Sequence, residues 1–402
     1  MSGEGRTLTY SELHRMARPM DFSTMVKPVG SSCNMRCAYC YYLDKASLYD
    51  GQQPVMSDSL LELYIREYIE AVDADTVTFC WHGGEPLLAG LPFFERAMQL
   101  QQRYRNGKEI HNTLQTNGLL VDEYWCQFFH EHRFLVGLSL DGPAELHDVY
   151  RCDRGGHPTQ IRVLRAAEKM IQANVDFNIL CTVNAHSEKQ GTQVYNYLRE
   201  ISPFLQFLPV VEYTDGMGHI VPPGTPGAYP TPYSVGGEGF GQFLCDVYDT
   251  WVHGDVGRIY VQLFDNTLAG WCGIPSTLCT LCETCGDTLT VEHNGDVYLC
   301  DHYVYTSHLL GNISRTPLAE LARHPQRFAF ASAKCTELSP TCRRCQWLHL
   351  CHGECPQHRF ADKGLNTLCE GYKRFFTHTA SDMQTMKSLL ERGLPPSRIN
   401  RG

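Results

Sequence analysis

Three cysteines crowd the stretch SSCNMRCAYCYY, residues 31–42: Cys33, Cys37 and Cys40, spaced C-x3-C-x2-C. No fourth cysteine follows nearby, although zinc and ordinary iron–sulfur sites take four protein ligands. An iron–sulfur cube held by three thiolates keeps one iron open to a non-protein ligand, as catalytic zinc keeps one position free. A zinc site here would have to recruit His14 or a distant cysteine. Tyr39 sets an aromatic face directly before the third thiol.

A second and denser field lies downstream, where eleven of the nineteen cysteines fall between Cys272 and Cys369. In CGDTLTVEHNGDVYLCDHYV the centre reads as a hairpin turning at Asn294-Gly295, a pair favoured where both turn residues need positive φ. The turn returns Cys300 towards Cys285. CRRCQWLHLCHGEC then supplies Cys342, Cys345, Cys351 and Cys355, and Cys369 stands further on. With Cys279, these make enough thiolates for two fully ligated cubes. Two zinc ribbons would use the same C-x2-C spacing. Cys282, between two candidate ligands, could replace Cys279. Cys80, Cys126, Cys152, Cys181 and Cys245 read as small buried hydrophobes.

Other candidates are polar. HGGEPLLAG offers Gly83, Gly84 and Glu85, and paired glycines let backbone N–H and C=O groups approach a ligand. SLDGP offers Ser139 and Asp141, and Arg151 could pair with a carboxylate. Asp301 directly follows Cys300.

The bulk properties narrow the class. The chain has 402 residues and a formal net charge of −10, which argues against nucleic acid or anionic lipid as a partner. No apolar run is long enough to span a membrane, and the N-terminus lacks a secretory signal, so a cytoplasmic location is expected. In a reducing compartment nineteen cysteines point to metal ligation rather than disulfides.

These residues need elements to hold them. Strand-like runs occur at 24–30, 76–82, 110–116, 134–140, 175–183 and 204–211, separated by helical patterns, the first capped by Ser57. Strands alternating with helices imply a parallel sheet. Six units are too few to close an eight-unit barrel, so an open (β/α)6 TIM-like barrel is expected, with its functional residues at the carboxyl ends of the strands. Residues 213–242, rich in Gly and Pro, read as a long loop. The expected organisation is an N-terminal extension (1–20), the barrel (21–250), an iron–sulfur domain (251–375) and a C-terminal helix and tail (376–402).

Together the C-x3-C-x2-C loop and the GGEP segment resemble the radical S-adenosylmethionine (SAM) superfamily. The downstream cysteines resemble its SPASM domain, and nearly the whole chain is similar to the anaerobic sulfatase-maturating enzymes. The resemblance implies a radical SAM cube on Cys33, Cys37 and Cys40, with SAM contacted by Tyr39, Gly84, Ser139, Arg151 and Leu205. It implies a first auxiliary cube on Cys279, Cys285, Cys300 and Cys355, and a second on Cys342, Cys345, Cys351 and Cys369, giving three [4Fe-4S] clusters. It implies oxidation of a Cys or Ser in the C/S-x-P-x-R motif of an unfolded or nascent sulfatase to Cα-formylglycine. Asp301 would be the proton acceptor, and a flavodoxin- or ferredoxin-type donor would supply low-potential electrons. His82 stands where close relatives are expected to carry Gln. Other SPASM maturases, which crosslink small peptides, and a zinc-binding interaction module are the alternative readings.

Overall fold

The computed structural model describes residues 22–49 and 55–400, so the expected N-terminal extension and His14 lie outside the described residues. All six expected strands form: β1 (Ser23–Lys27), β2 (Thr76–Trp81), β3 (Glu109–Thr116), β4 (Leu135–Ser139), β5 (Phe177–Val183) and β6 (Phe204–Pro209). Between them run α1 (Asp58–Ala71), α2 (Leu91–Tyr104), α3 (Glu123–Glu131), α4 (Gln160–Gln172) and α5 (Gly191–Leu198). The Ser57 side chain caps α1 by accepting from the Leu60 N–H at 3.3 Å, which satisfies one of the free first-turn donors. Alternating burial along β5 turns Ile179, Cys181 and Val183 to the helices and leaves Asn178, Leu180 and Thr182 on the lumen face.

After the barrel come α6 (Gly237–Gly254), β7 (Tyr260–Val261), α7 (Gln262–Trp271), β8 (Thr288–Glu292), β9 (Asp296–Tyr298), β10 (Leu309–Asn312) and the long α8 (Cys369–Glu391). One ten-stranded sheet holds them in the order β10-β9-β8-β1-β2-β3-β4-β5-β6-β7. The cysteine-rich part therefore contributes strands to the barrel's own sheet. β8 pairs parallel with β1 from Ser23 opposite Thr288 to Lys27 opposite Glu292. β9 and β10 extend the edge antiparallel. A single contiguous apolar core includes Val26 and Phe94 of the barrel together with Leu289, Val297, Leu318 and Phe375.

Two local expectations change. The hairpin turn gives positive φ to Gly295 alone (89°), whose N–H donates to the Glu292 carbonyl at 2.8 Å. Three residues thus separate the strands, with glycine in the left-handed position, rather than a two-residue turn needing two such residues. The 213–242 segment is not all loop, because its last residues begin α6 despite three glycines. Two of those glycines serve packing: a Cβ on Gly241 would lie 2.6 Å from the Gly371 Cα, and one on Gly237 would lie 2.8 Å from the Thr367 carbonyl. The divisions placed at 250/251 and 375/376 fall inside α6 and α8, two helices that pack on each other.

Candidate active site

The loop after β1 carries the three clustered cysteines at the carboxyl end of its strand. It is held from two sides: Arg36 and Ala38 N–H groups donate to the Cys152 and Tyr150 carbonyls, both at 2.9 Å. The Asn117 side chain, just past β3, donates to Asn34 Oδ1 at 2.7 Å and lies 3.6 Å from Cys33 Sγ. Burial pushes the thiols of Cys33 and Cys40 up to about 11 and that of Cys37 to about 12. Such thiols ionise readily only when a metal offsets the charge.

Across the lumen, Tyr39, Asp141 and Arg151 form a buried knot. The Tyr39 hydroxyl donates to Asp141 Oδ2, Arg151 Nε donates to the same oxygen at 2.9 Å, and Thr182 donates from its N–H and hydroxyl at 2.9 and 2.7 Å. Burial would raise the Asp141 pKa, but the Arg151 guanidinium, His147 and the Tyr39 hydroxyl hold it below the usual carboxylate value. Arg151 is thereby fixed by its Nε edge, leaving its terminal nitrogens for a ligand carboxylate. Ser139, buried at the end of β4, shares the lumen face with Leu180 and Thr182.

The glycine pair lies against the cysteine loop. Gly84 N–H donates to the Gly30 carbonyl at 2.8 Å, and a Cβ on Gly84 would drive into the Ser32 carbonyl, so only glycine fits. The Glu85 side chain is fully buried. It accepts from the Leu87 and Asn117 N–H groups and the Thr116 hydroxyl, and burial raises its pKa to about 7.

The Leu205 side chain does not share the lumen face with Ser139. It pairs with Ile179 near the amino end of β6, on the helix-facing side and 1% exposed. Side chains alternate along a strand, so the lumen residue of β6 level with Ser139 is Gln206, which pairs with Leu180 opposite Ser139, and Leu208 follows beside Thr182.

Asp301 sits just past β9, where the β8–β1 pairing brings the second cysteine field alongside the first. Tyr41 donates its hydroxyl to Asp301 Oδ2 at 2.7 Å, and its ring stacks on His302 at 4.7 Å. Desolvation would raise the Asp301 pKa, but the fields of His302, Lys27 and His82 and the Tyr41 hydrogen bond hold it well below the carboxylate range. His82 is kept neutral by burial and by Lys27, its pKa lowered to about 3. Its Nδ1 accepts from the Gly83 N–H at 2.7 Å and lies 3.2 Å from Lys27 Nζ, which puts the ring proton on Nε2. Tyr41 and Lys27 have no sequence signature, since an aromatic pair and one lysine in a strand are common.

The downstream thiols gather in two sets. The Cys300 and Cys355 thiols feel each other and Cys279, and Cys355 also feels Cys285. Cys342, Cys345, Cys351 and Cys369 line one apolar pocket with Trp347, Leu348, Tyr372 and Phe376. Cys282 donates to the Ser276 carbonyl at 3.1 Å, and it too is felt by Cys285. Lys334, fully buried, binds the Cys279 and Thr280 carbonyls at 2.7 and 3.0 Å and anchors the first set. Among the described residues no three His, Cys, Asp or Glu side chains converge on a point as one metal ion requires. Four thiols walling one apolar pocket suit a cube, whose ligands sit on separate irons.

A partial parallel barrel with a three-cysteine loop and a thiol-rich extension defines a radical SAM enzyme with an auxiliary iron–sulfur domain. The Radical SAM superfamily profile matches residues 28–190, and that of the SPASM iron–sulfur cluster-binding domain matches residues 282–346. A serine-type anaerobic sulfatase-maturating enzyme of Bacteroides thetaiotaomicron is 42% identical over 93% of both chains. A cysteine-type counterpart from Clostridium perfringens is 36% identical over 89% of this chain and 95% of its own. The solved structure of native anSMEcpe with bound AdoMet superposes with a TM-score of 0.80 at 34% identity, covering 91% of this chain and 99% of that one. The same enzyme has been solved with AdoMet and the Cp18Cys peptide. The chain belongs to the anaerobic sulfatase-maturating enzymes, which use SAM and iron–sulfur clusters to convert Cys or Ser to formylglycine. No helix among the described residues is long and apolar enough to cross a membrane.

Proposed function

We propose that this enzyme oxidises the Cys or Ser of a C/S-x-P-x-R segment in an unfolded or nascent sulfatase, with Asp301 as proton acceptor. Three [4Fe-4S] clusters serve it: one on Cys33, Cys37 and Cys40, a first auxiliary cluster on Cys279, Cys285, Cys300 and Cys355, and a second on Cys342, Cys345, Cys351 and Cys369. When bound, a cluster on Cys33, Cys37 and Cys40 would supply the low-potential electron for reductive cleavage of SAM. Tyr39, the backbone of Gly83 and Gly84, Ser139 and Arg151 hold and orient SAM, while Glu85 braces the glycine loop from behind. Asp301 is a carboxylate at neutral pH and is aimed by Tyr41, so it can take the proton of a target hydroxyl or thiol.

The observation that carries this reading is the position of Asp301. It directly follows a cluster-type cysteine, at the end of a strand pair registered to the strand that carries the SAM loop. A flavodoxin- or ferredoxin-type protein would supply low-potential electrons, and a reducing cytoplasm would keep nineteen thiols available for metal. Anaerobic incubation with SAM, reductant and either a C-x-P-x-R or an S-x-P-x-R peptide tests the proposal. Mass spectrometry should find formylglycine in at least one peptide. If 5′-deoxyadenosine forms and neither peptide changes, the substrate assignment is wrong.

A further inference from the structure

Lys27 ends β1 with no exposed surface, its side chain on the lumen face between the SAM loop and the second cysteine field. An ammonium has three donors. One reaches His82 Nδ1 at 3.2 Å, and the nitrogen lies 4.0 Å from the centre of the Tyr42 ring. Among the described residues no carboxylate stands within ion-pair distance of it. Glu292, its partner in register on β8, lies behind Tyr42 and is engaged by the Tyr42 hydroxyl and by His293 at 3.4 Å. A buried charge left this way costs several kcal/mol unless something completes its shell. The surroundings say where that shell opens. The Lys27 charge acts on Asp301, His82, His302 and Cys40, the groups facing the space between the two cysteine fields.

We propose that Lys27 is a catalytic residue whose free N–H contacts the reacting oxygen or sulfur of the substrate and stabilises the negative charge that develops there. The step balances as follows. The Cβ–H hydrogen atom passes to the 5′-deoxyadenosyl radical, giving 5′-deoxyadenosine. The O–H or S–H proton passes to Asp301, and the remaining electron would go to the iron–sulfur cluster that Cys279, Cys285, Cys300 and Cys355 would hold, which accepts one electron. The C–O or C–S single bond becomes double, and water converts a thioaldehyde to the aldehyde with loss of hydrogen sulfide. Between loss of the hydrogen atom and loss of the electron, the heteroatom carries charge in a poorly solvated space. A fixed ammonium there acts as oxyanion-hole donors do, and removing one such donor costs about 10²-fold or more in rate.

This assignment rests on Asp301 as the proton acceptor, and a deuterium experiment separates the two. A peptide with both Cβ hydrogens replaced by deuterium is turned over by the parent, Lys27→Met, Lys27→Gln and Asp301→Asn. Lys27→Met should keep its iron content and thermal midpoint, because the methionine chain is of similar length and the ammonium it replaces has no carboxylate within ion-pair distance. It should still move deuterium into 5′-deoxyadenosine, while formylglycine falls about 10²-fold. Lys27→Gln, which keeps a donor without the charge, should fall between the two. Formylglycine at parental rate in both Lys27 variants overturns the role. So does deuterium transfer that falls in step with product, or loss of iron in both variants, since each makes Lys27 structural. Full activity in Asp301→Asn would instead remove the base while leaving the Lys27 result to stand alone.

Discussion

Replacing Asp141 by Asn alters one atom in the most tightly tied knot of the site. Asp141 is 1% exposed, and its Oδ2 accepts from Tyr39, Arg151 and the Thr182 hydroxyl, while Oδ1 accepts from the Thr182 N–H. An amide has one acceptor oxygen. If that oxygen takes the crowded position, the new NH2 faces the Thr182 N–H, and a donor–donor contact replaces a 2.9 Å hydrogen bond. The larger loss is charge, because the Arg151 guanidinium is 7% exposed and loses the Asp141 carboxylate paired with it at 2.9 Å. Breaking one side of a buried pair costs about 3–5 kcal/mol. Urea unfolding followed by tryptophan fluorescence should show that loss, and equilibrium dialysis should show weaker SAM binding as Arg151 leaves its place. The double variant Asp141→Leu with Arg151→Met should recover much of the stability, since an apolar pair of similar volume is often neutral. It should not recover SAM binding. The sign with pH follows from the depressed pKa: this contribution is complete above the ordinary carboxylate value near 3.9 and is lost as pH falls through the folded value. A single variant that loses less than about 1 kcal/mol and binds SAM like the parent would refute the knot as the anchor of Arg151.

Asp301→Asn should retain SAM cleavage and all iron but lose formylglycine on the order of 10²-fold or more, read by mass spectrometry. Alanine at Cys33, Cys37 and Cys40 together should lower iron from about twelve to about eight atoms per chain and abolish 5′-deoxyadenosine formation. His82 and His147 are held neutral by burial, at about 3 and about 4. The unfolded chain binds their protons first, so stability is complete above pH ~6.5 and each should withdraw roughly 2 kcal/mol between there and pH 5. A urea midpoint that stays flat across that range would contradict their burial.

The barrel was legible because buried parallel strands and amphipathic helices repeat two clear periods, and all six strands fall where those periods put them. The three-cysteine loop and the downstream string were legible because ligand spacing is local. What escaped was set by pairing across the sheet. Leu205 looked available in FLQF, yet a period of two turns it to the helices, and only the register with Ile179 reveals the face. Tyr41 meets Asp301, and the Lys27 charge reaches it, only because β8 lies beside β1, a pairing between residues more than 250 positions apart. The helix from Gly237 was hidden by composition: its glycines lower helix propensity but allow α6 and α8 to touch backbone to backbone.

The shared sheet also sets a rule for engineering chimeras. A donor iron–sulfur segment grafted onto this barrel must enter at one register only, because a slip by a single residue displaces the graft by about 3.3 Å and reverses which face each side chain occupies. Leu289 and Val291 would then leave the core, and Asp301 would swing out of line with the SAM loop. Exchanges cut inside the β8–β9 turn, beyond the last β1–β8 partners, keep that alignment. Exchanges cut before Thr288 put it at risk.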